Sequence, residues 1–98
     1  MNEFENKVAI VTGTTGIGRA IAKRLVSGGA SVTACGIDEA ANRELLQESD
    51  SSGYELRVEL CDVSRPEQVQ AMVARTTSQF GGLDFIANSA GLLTRDAM

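Results

Sequence analysis

One short stretch limits the possible folds of this chain more than any other. An apolar, β-branched run, Val-Ala-Ile-Val, lies in residues 7–12, and the glycine-rich segment Thr-Gly-Thr-Thr-Gly-Ile-Gly follows in residues 12–18. The run is too short for a helix and predicts a parallel strand buried on both faces. Beyond the glycines, helical spacing continues as far as Gly28 and is carried by Ile17, Ala20, Ile21, Leu25 and Val26. A glycine turn between a strand and a helix predicts a diphosphate-binding site, because the free amides of the turn and the positive end of the helix dipole would face the ligand. Alternatively, the glycines could merely permit a tight turn.

The rest of the chain continues this alternation of strands and helices. The pattern predicts strands over residues 30–35, 55–60 and 83–88. The third of the four strands is more polar on one face and is expected at the sheet edge. It predicts a helix over residues 39–47, a loop over residues 49–53, and a further helix that starts at a capping box on Ser64 and ends at Gly81. We therefore expect an α/β fold over residues 1–98, a partial Rossmann-like doubly wound parallel sheet of order 3-2-1-4 with three helices. Its ligand crevice would lie between the ends of strands 1 and 4.

Composition excludes several functions for a chain of this kind. With 98 residues and a net charge of -4, the chain offers no cationic surface for nucleic acid or anionic lipid. The polar start does not resemble a signal peptide, and no apolar run would cross a membrane, so a cytoplasmic location is expected. No histidine is present, and two cysteines are too few for a zinc site. Cys35 and Cys61 are predicted to be neighbouring, buried, reduced thiols rather than a disulfide.

Three motifs in order resemble the short-chain dehydrogenase/reductase family, in its classical branch. They are the glycine segment, Cys-Asp-Val at residues 61–63 after strand 3, and Asn-Ser-Ala-Gly at residues 88–91 after strand 4. The resemblance implies that Asp62 binds the adenine amino group of a nicotinamide dinucleotide and that Val63 packs on its ring. Asp62 could instead be a turn residue before Ser64, and Asn88 could be structural. The implied cofactor-binding set is Gly13, Thr15, Gly16, Ile17, Gly18, Asp38, Asp62, Val63, Asn88, Ala90 and Gly91.

The choice between NAD and NADP rests on the segment after strand 2. Asp38 lies at about the distance, roughly 20 residues past the glycines, at which a carboxylate binds the ribose of NAD, although it could simply cap a helix. By family resemblance the selecting positions are Gly36 and Ile37, which carry neither charge, and Thr15 stands where NADP users often have a basic residue. We therefore expect NAD, with NADP possible. The loop between Gly13 and Gly16 is one residue shorter than the family pattern, which predicts weakened dinucleotide binding.

The catalytic motif of the family is absent from the sequence. The single tyrosine, Tyr54, is followed four residues later by Val58, so no Tyr-x-x-x-Lys exists. The resemblance thus implies the front part of a homo-oligomeric oxidoreductase that moves hydride between a nicotinamide and an alcohol/carbonyl substrate. The chain alone is expected to be inactive, and the apolar open edge of strand 4 to cause self-association or partial unfolding.

Two other functions remain open at this point. The chain could be a non-catalytic nucleotide-binding or interaction module. It could also be part of an S-adenosylmethionine-dependent methyltransferase, but Val11 and Thr12 stand where such enzymes usually carry an acidic residue. The Asn88 motif also suits a methyltransferase poorly.

Overall fold

The fold is a single four-stranded parallel sheet between two helical layers. A computed structural model describes residues 3–50 and 53–89. The strands are β1 (Val8–Thr12), β2 (Ser31–Gly36), β3 (Leu56–Leu60) and β4 (Phe85–Asn88), in the order β3-β2-β1-β4. This confirms the predicted fold class and places β3 at an edge. β1 is buried along its whole length, as its unbroken apolar run requires.

The three helices lie on the two faces of the sheet. They are α1 (Gly16–Ser27), α2 (Glu39–Asp50) and α3 (Pro66–Phe80). Leu25 of α1 and Leu45 of α2 pack with Val11 and Val32 in one core cluster. Met72 of α3 packs with Ile10 in a second cluster. Because side chains alternate along a strand, the two clusters occupy opposite faces, and helices cover both faces of β1.

The strand register brings the carboxyl ends of the strands level with one another. Thr12 pairs with Cys35 on one side and with Asn88 on the other. Gly36 pairs with Leu60. Segments that leave the ends of all four strands therefore meet at one edge, which is where ligands bind in open parallel sheets.

Several predicted boundaries were wrong for identifiable reasons. α2 continues to Asp50 because Ser49, assigned to a loop by its polarity, is buried and donates its hydroxyl to the Leu45 carbonyl at 3.1 Å. The capping box at Ser64 does not form, since that hydroxyl bonds Asp62 and Arg65 precedes the helix. β4 begins at Phe85 rather than at residue 83.

The apolar stripe expected on α1 was also partly wrong. Ile17 is 66% exposed and Ala20 is exposed as well, whereas Ala22 is buried beside Leu25 and Val26. Within the first turn of α1, Ile17 therefore faces solvent while Gly18 is buried. Within the part of the chain that the structure describes, no helix combines the length and apolar character needed to span a bilayer.

Candidate functional site

The glycine turn between β1 and α1 is built for close approach by an anion. Gly13 (φ 104°) and Gly16 (φ 55°) both adopt left-handed backbone conformations that favour glycine. Gly13 N donates to the Cys35 carbonyl at 2.6 Å, which ties the turn to the end of β2. Thr15 precedes α1 without a side-chain capping bond, and the first turn of α1 has no acidic residue. The amino end of α1 thus keeps its positive potential for a ligand.

Gly18 lies where the helix, the turn and the end of β4 meet. A Cβ at this position would collide with the Gly13 carbonyl and stand 2.5 Å from Ser89 Oγ. Ser89 Oγ in turn donates to the Thr12 carbonyl. Ser89 was not singled out from the sequence, and its place inside the Asn88 motif was the available signal.

Asn88 has a structural partner at the end of β1. Its Oδ1 accepts a hydrogen bond from the Thr12 hydroxyl at 2.8 Å, which joins the carboxyl ends of the two central strands. This supports the structural interpretation of Asn88 and fixes the crevice between β1 and β4. Ala90 and Gly91 lie outside the described residues.

The end of β2 presents an exposed apolar residue and a helix cap. Ile37 is 74% exposed. Asp38 Oδ1 accepts from Ala41 N at 3.1 Å, so Asp38 caps α2 as its alternative interpretation held. This capping hydrogen bond uses Oδ1 of Asp38. Contact between Asp38 and the ribose of a dinucleotide remains a prediction.

The end of β3 forms a turn around Asp62. Asp62 Oδ1 accepts from Ser64 Oγ at 2.7 Å and from Ser64 N at 3.0 Å. These hydrogen bonds, the hydroxyl one first, hold the pKa of Asp62 below its usual range, so it is a carboxylate at neutral pH. Asp62 is therefore a turn residue, as its alternative interpretation held. Val63 is partly exposed beside it.

A shallow depression joins the ends of β2 and β3. It has a volume of about 560 Å³ and is lined by Ile37, Leu60, Asp62, Glu67, Gln68, Ala71 and Arg75. Arg75 is tied to Glu59 through Nη2 at 2.5 Å, so it is no free cation for a phosphate. The depression is large enough for a planar ring that offers an amino group to Asp62.

The other candidate chemistries find little support here. Tyr54 precedes β3 and therefore lies at the amino edge of the sheet, opposite the crevice. Cys35 and Cys61 are both free and buried in one cluster, as predicted. Burial, followed by the neighbouring Cys61 thiol, raises the pKa of Cys35 to about 12, so it is a poor nucleophile. Residues 3–50 and 53–89 contain no cluster of ligands that could hold a metal ion.

Comparison with known proteins identifies the family. The model of the short chain dehydrogenase family matches residues 7–98. The chain belongs to this family of oxidoreductases. It is 41% identical over 95 residues to the 3-oxoacyl-[acyl-carrier-protein] reductase FabG of Chlamydia muridarum, covering 95% of this chain but 38% of that protein.

Solved structures agree with this assignment. A short chain dehydrogenase/reductase from Burkholderia phymatum in complex with NAD is 33% identical, with a TM-score of 0.82 over 88% of this chain and 31% of that one. Actinorhodin polyketide ketoreductase with NADPH is 36% identical, with a TM-score of 0.80 over 91% of this chain and 34% of that one. The chain thus spans about a third of the length of these relatives.

Proposed function

We propose that this chain is the dinucleotide-binding part of an NAD(P)-dependent short-chain dehydrogenase that acts on an alcohol/carbonyl pair. One observation carries the proposal: the uncapped amino end of α1 opens beside Asn88 and Ser89, where β1 and β4 end at the same level. No side chain would fit at Gly18, because a Cβ there would collide with the Gly13 carbonyl and the Ser89 hydroxyl. Relatives recorded with NAD and with NADPH support a dinucleotide as the ligand.

Each segment at the carboxyl edge would hold a different part of the dinucleotide. The amides of Gly13, Thr15, Gly16, Ile17 and Gly18 would face the diphosphate, because they surround the positive end of α1. Asp38 would reach the adenosine ribose, while Asp62 and Val63 would hold adenine in the depression beside Ile37. The remaining contacts with the dinucleotide would come from Asn88, Ala90 and Gly91.

The chemistry divides between cofactor and chain. A bound nicotinamide supplies or accepts the hydride. The residues described here bind and orient the dinucleotide, and the Thr12–Asn88 hydrogen bond keeps the crevice in shape. No Tyr-x-x-x-Lys is present in the sequence to act as general acid and base, so we propose that this chain alone binds without catalysis.

We propose NAD as the preferred cofactor, since neither Gly36 nor Ile37 supplies a cation for a 2′-phosphate. Cytoplasmic location is proposed because two free thiols suit a reducing compartment. Assembly of the complete protein into a homo-oligomer is likewise a proposal, which rests on the family resemblance.

Calorimetric titration of the chain with NAD, NADP and S-adenosylmethionine tests the proposed function. NAD should bind, and more weakly than the ordinary micromolar range because the loop is one residue short. Thr15→Glu should weaken binding at least about tenfold by placing a carboxylate beside the diphosphate, while leaving the helix folded. Ser78→Glu, on the exposed part of α3, is the matched control and should bind like wild type. Heat with S-adenosylmethionine and none with NAD would refute the proposal.

A further inference from the structure

Gln68, in the first turn of α3, reaches back to the turn that follows β3. Its Oε1 accepts a hydrogen bond from Asp62 N at 2.8 Å. At this position of a helix a glutamine usually bonds the residue that caps the same helix, which here is Arg65. The side chain instead passes over Arg65 and ties α3 to the turn after β3. Gln68 and Asp62 both line the depression beside Ile37.

Asp62 is held at three of its four polar atoms by hydrogen bonds within the chain. Its Oδ1 accepts from Ser64, its carbonyl accepts from Arg65 N at 3.0 Å, and its amide donates to Gln68. Among the described residues, only its Oδ2 has no hydrogen-bond partner. Ser64 therefore restrains the side chain of Asp62, whereas Gln68 and Arg65 restrain its backbone. One carboxylate oxygen, held in a fixed direction, is left for a ligand.

This remaining oxygen of Asp62 restricts which ring can lie in the depression. An ionised carboxylate accepts hydrogen bonds and donates none. A ring with an exocyclic amino group can donate to Oδ2, whereas a ring with an oxo group there would place two acceptors against each other. The step rests on the proposed function, in which Asp62 and Val63 hold the adenine of a dinucleotide. Discrimination between the two rings requires that the carboxylate keep its direction.

We propose that Gln68 is a positioning residue that aims the Asp62 carboxylate at the amino group of the ligand ring and thereby makes the site selective for an amino purine over an oxo purine. Gln68 acts through the backbone of Asp62, because its Oε1 bonds the amide and not the carboxylate. Without that acceptor the peptide before Asp62 can rotate, and the carboxylate turns with it.

The test uses the whole chain and two dinucleotides, NAD and nicotinamide hypoxanthine dinucleotide, which differ only in an amino or an oxo group on the purine. Wild type should bind NAD about tenfold more tightly in calorimetry. Gln68→Met keeps the length of the side chain but loses the strong acceptor, and should lower this ratio to about twofold by weakening NAD. Gln68→Glu keeps an acceptor oxygen for Asp62 N and should restore the wild-type ratio.

The ratio distinguishes positioning from a structural role of Gln68. Loss of helix stability alone would weaken both dinucleotides equally and leave the ratio unchanged. Gln79→Met makes the same substitution at an exposed position of α3, distant in sequence from the depression, and should keep the wild-type ratio. Circular dichroism should show all three variants folded.

The outcomes separate this inference from the proposed function. A wild-type ratio in Gln68→Met, or equal affinities of wild type for the two dinucleotides, overturns the role of Gln68 and leaves dinucleotide binding standing. No binding of either dinucleotide by wild type overturns both proposals. If Gln68→Met fails to fold, hydrogen exchange of wild type decides. Asp62 N–H should then exchange at least about tenfold more slowly than an unprotected amide, and exchange at the unprotected rate overturns the inference.

Discussion

Gly18 shows how strongly a single missing side chain constrains this site. Gly18→Ala would drive a Cβ into the Gly13 carbonyl and the Ser89 hydroxyl. We expect a loss of about 1–3 kcal/mol in the free energy of unfolding, together with loss of NAD binding, because the turn must shift. Denaturant titration measures the first effect and calorimetry the second. Gly82→Ala meets no atom within 4 Å and is the matched control; equal stability of the two variants would contradict this account.

Cys35 predicts a specific loss of stability in alkali. Its pKa is raised from 9.0 to about 12 in the folded chain, so the unfolded chain releases the thiol proton first as pH rises. The contribution of Cys35 to stability is complete below about pH 9 and is lost progressively up to about pH 12. The difference in unfolding free energy between wild type and Cys35→Ala should shrink over that range. A constant difference would show that the thiol keeps its ordinary pKa.

Sequence reasoning singled out the glycines of the turn but missed Ser89, which lies beside Gly18. Gly13, Gly16 and Gly18 were recognisable because glycine turns have fixed spacing. Ser89 acts through a contact across the fold, since its hydrogen bond to the Thr12 carbonyl joins residues 77 positions apart. The motif that contains Asn88 draws attention to this segment, but the partner of Ser89 emerged only from the structure.

At the scale of elements, periodicity predicted each strand and helix, and the errors lay at their ends and in the buried face of α1. Short apolar runs bounded by glycine were unambiguous for β1 and β2. Ser49 and Ser64 were misjudged because a serine hydroxyl can bond backbone or side chain, and only the fold selects between them. Boundaries depend on such choices more than on propensity.

The start of β4 depends on one side chain that closes it onto β1. Asp84 Oδ2 accepts from Val8 N at 2.7 Å, and Asp84 N donates to the Val8 carbonyl at 2.8 Å. Asp84→Ala should destabilise the chain by about 1–3 kcal/mol because Val8 N–H loses its acceptor. Asp84→Asn keeps an acceptor oxygen and should retain most of the stability. Urea titration of both variants checks this, and an equal loss in both would contradict it.

For the whole molecule, the feature that governs self-association is the exposed apolar surface of the edge strand β4. The interior strands β1 and β2 have neighbours on both sides, whereas β4 pairs with β1 alone among the described strands. Phe85 and Ile86 of β4 are both exposed. An unpaired strand with exposed apolar side chains is a template for another chain.

The chain should therefore associate with itself through β4 as its concentration rises. Ile86 lies in β4, the strand with the unpaired edge, and is 50% exposed. Ile86→Lys should shift the population toward monomer, because a charge on an edge strand opposes pairing with another chain. Ile37→Lys alters an even more exposed isoleucine at the end of β2 and should leave association unchanged. Sedimentation velocity over a concentration series distinguishes the variants. A wild-type chain that stays monomeric at every concentration, or an equal response of the two variants, would show that the β4 edge does not drive association.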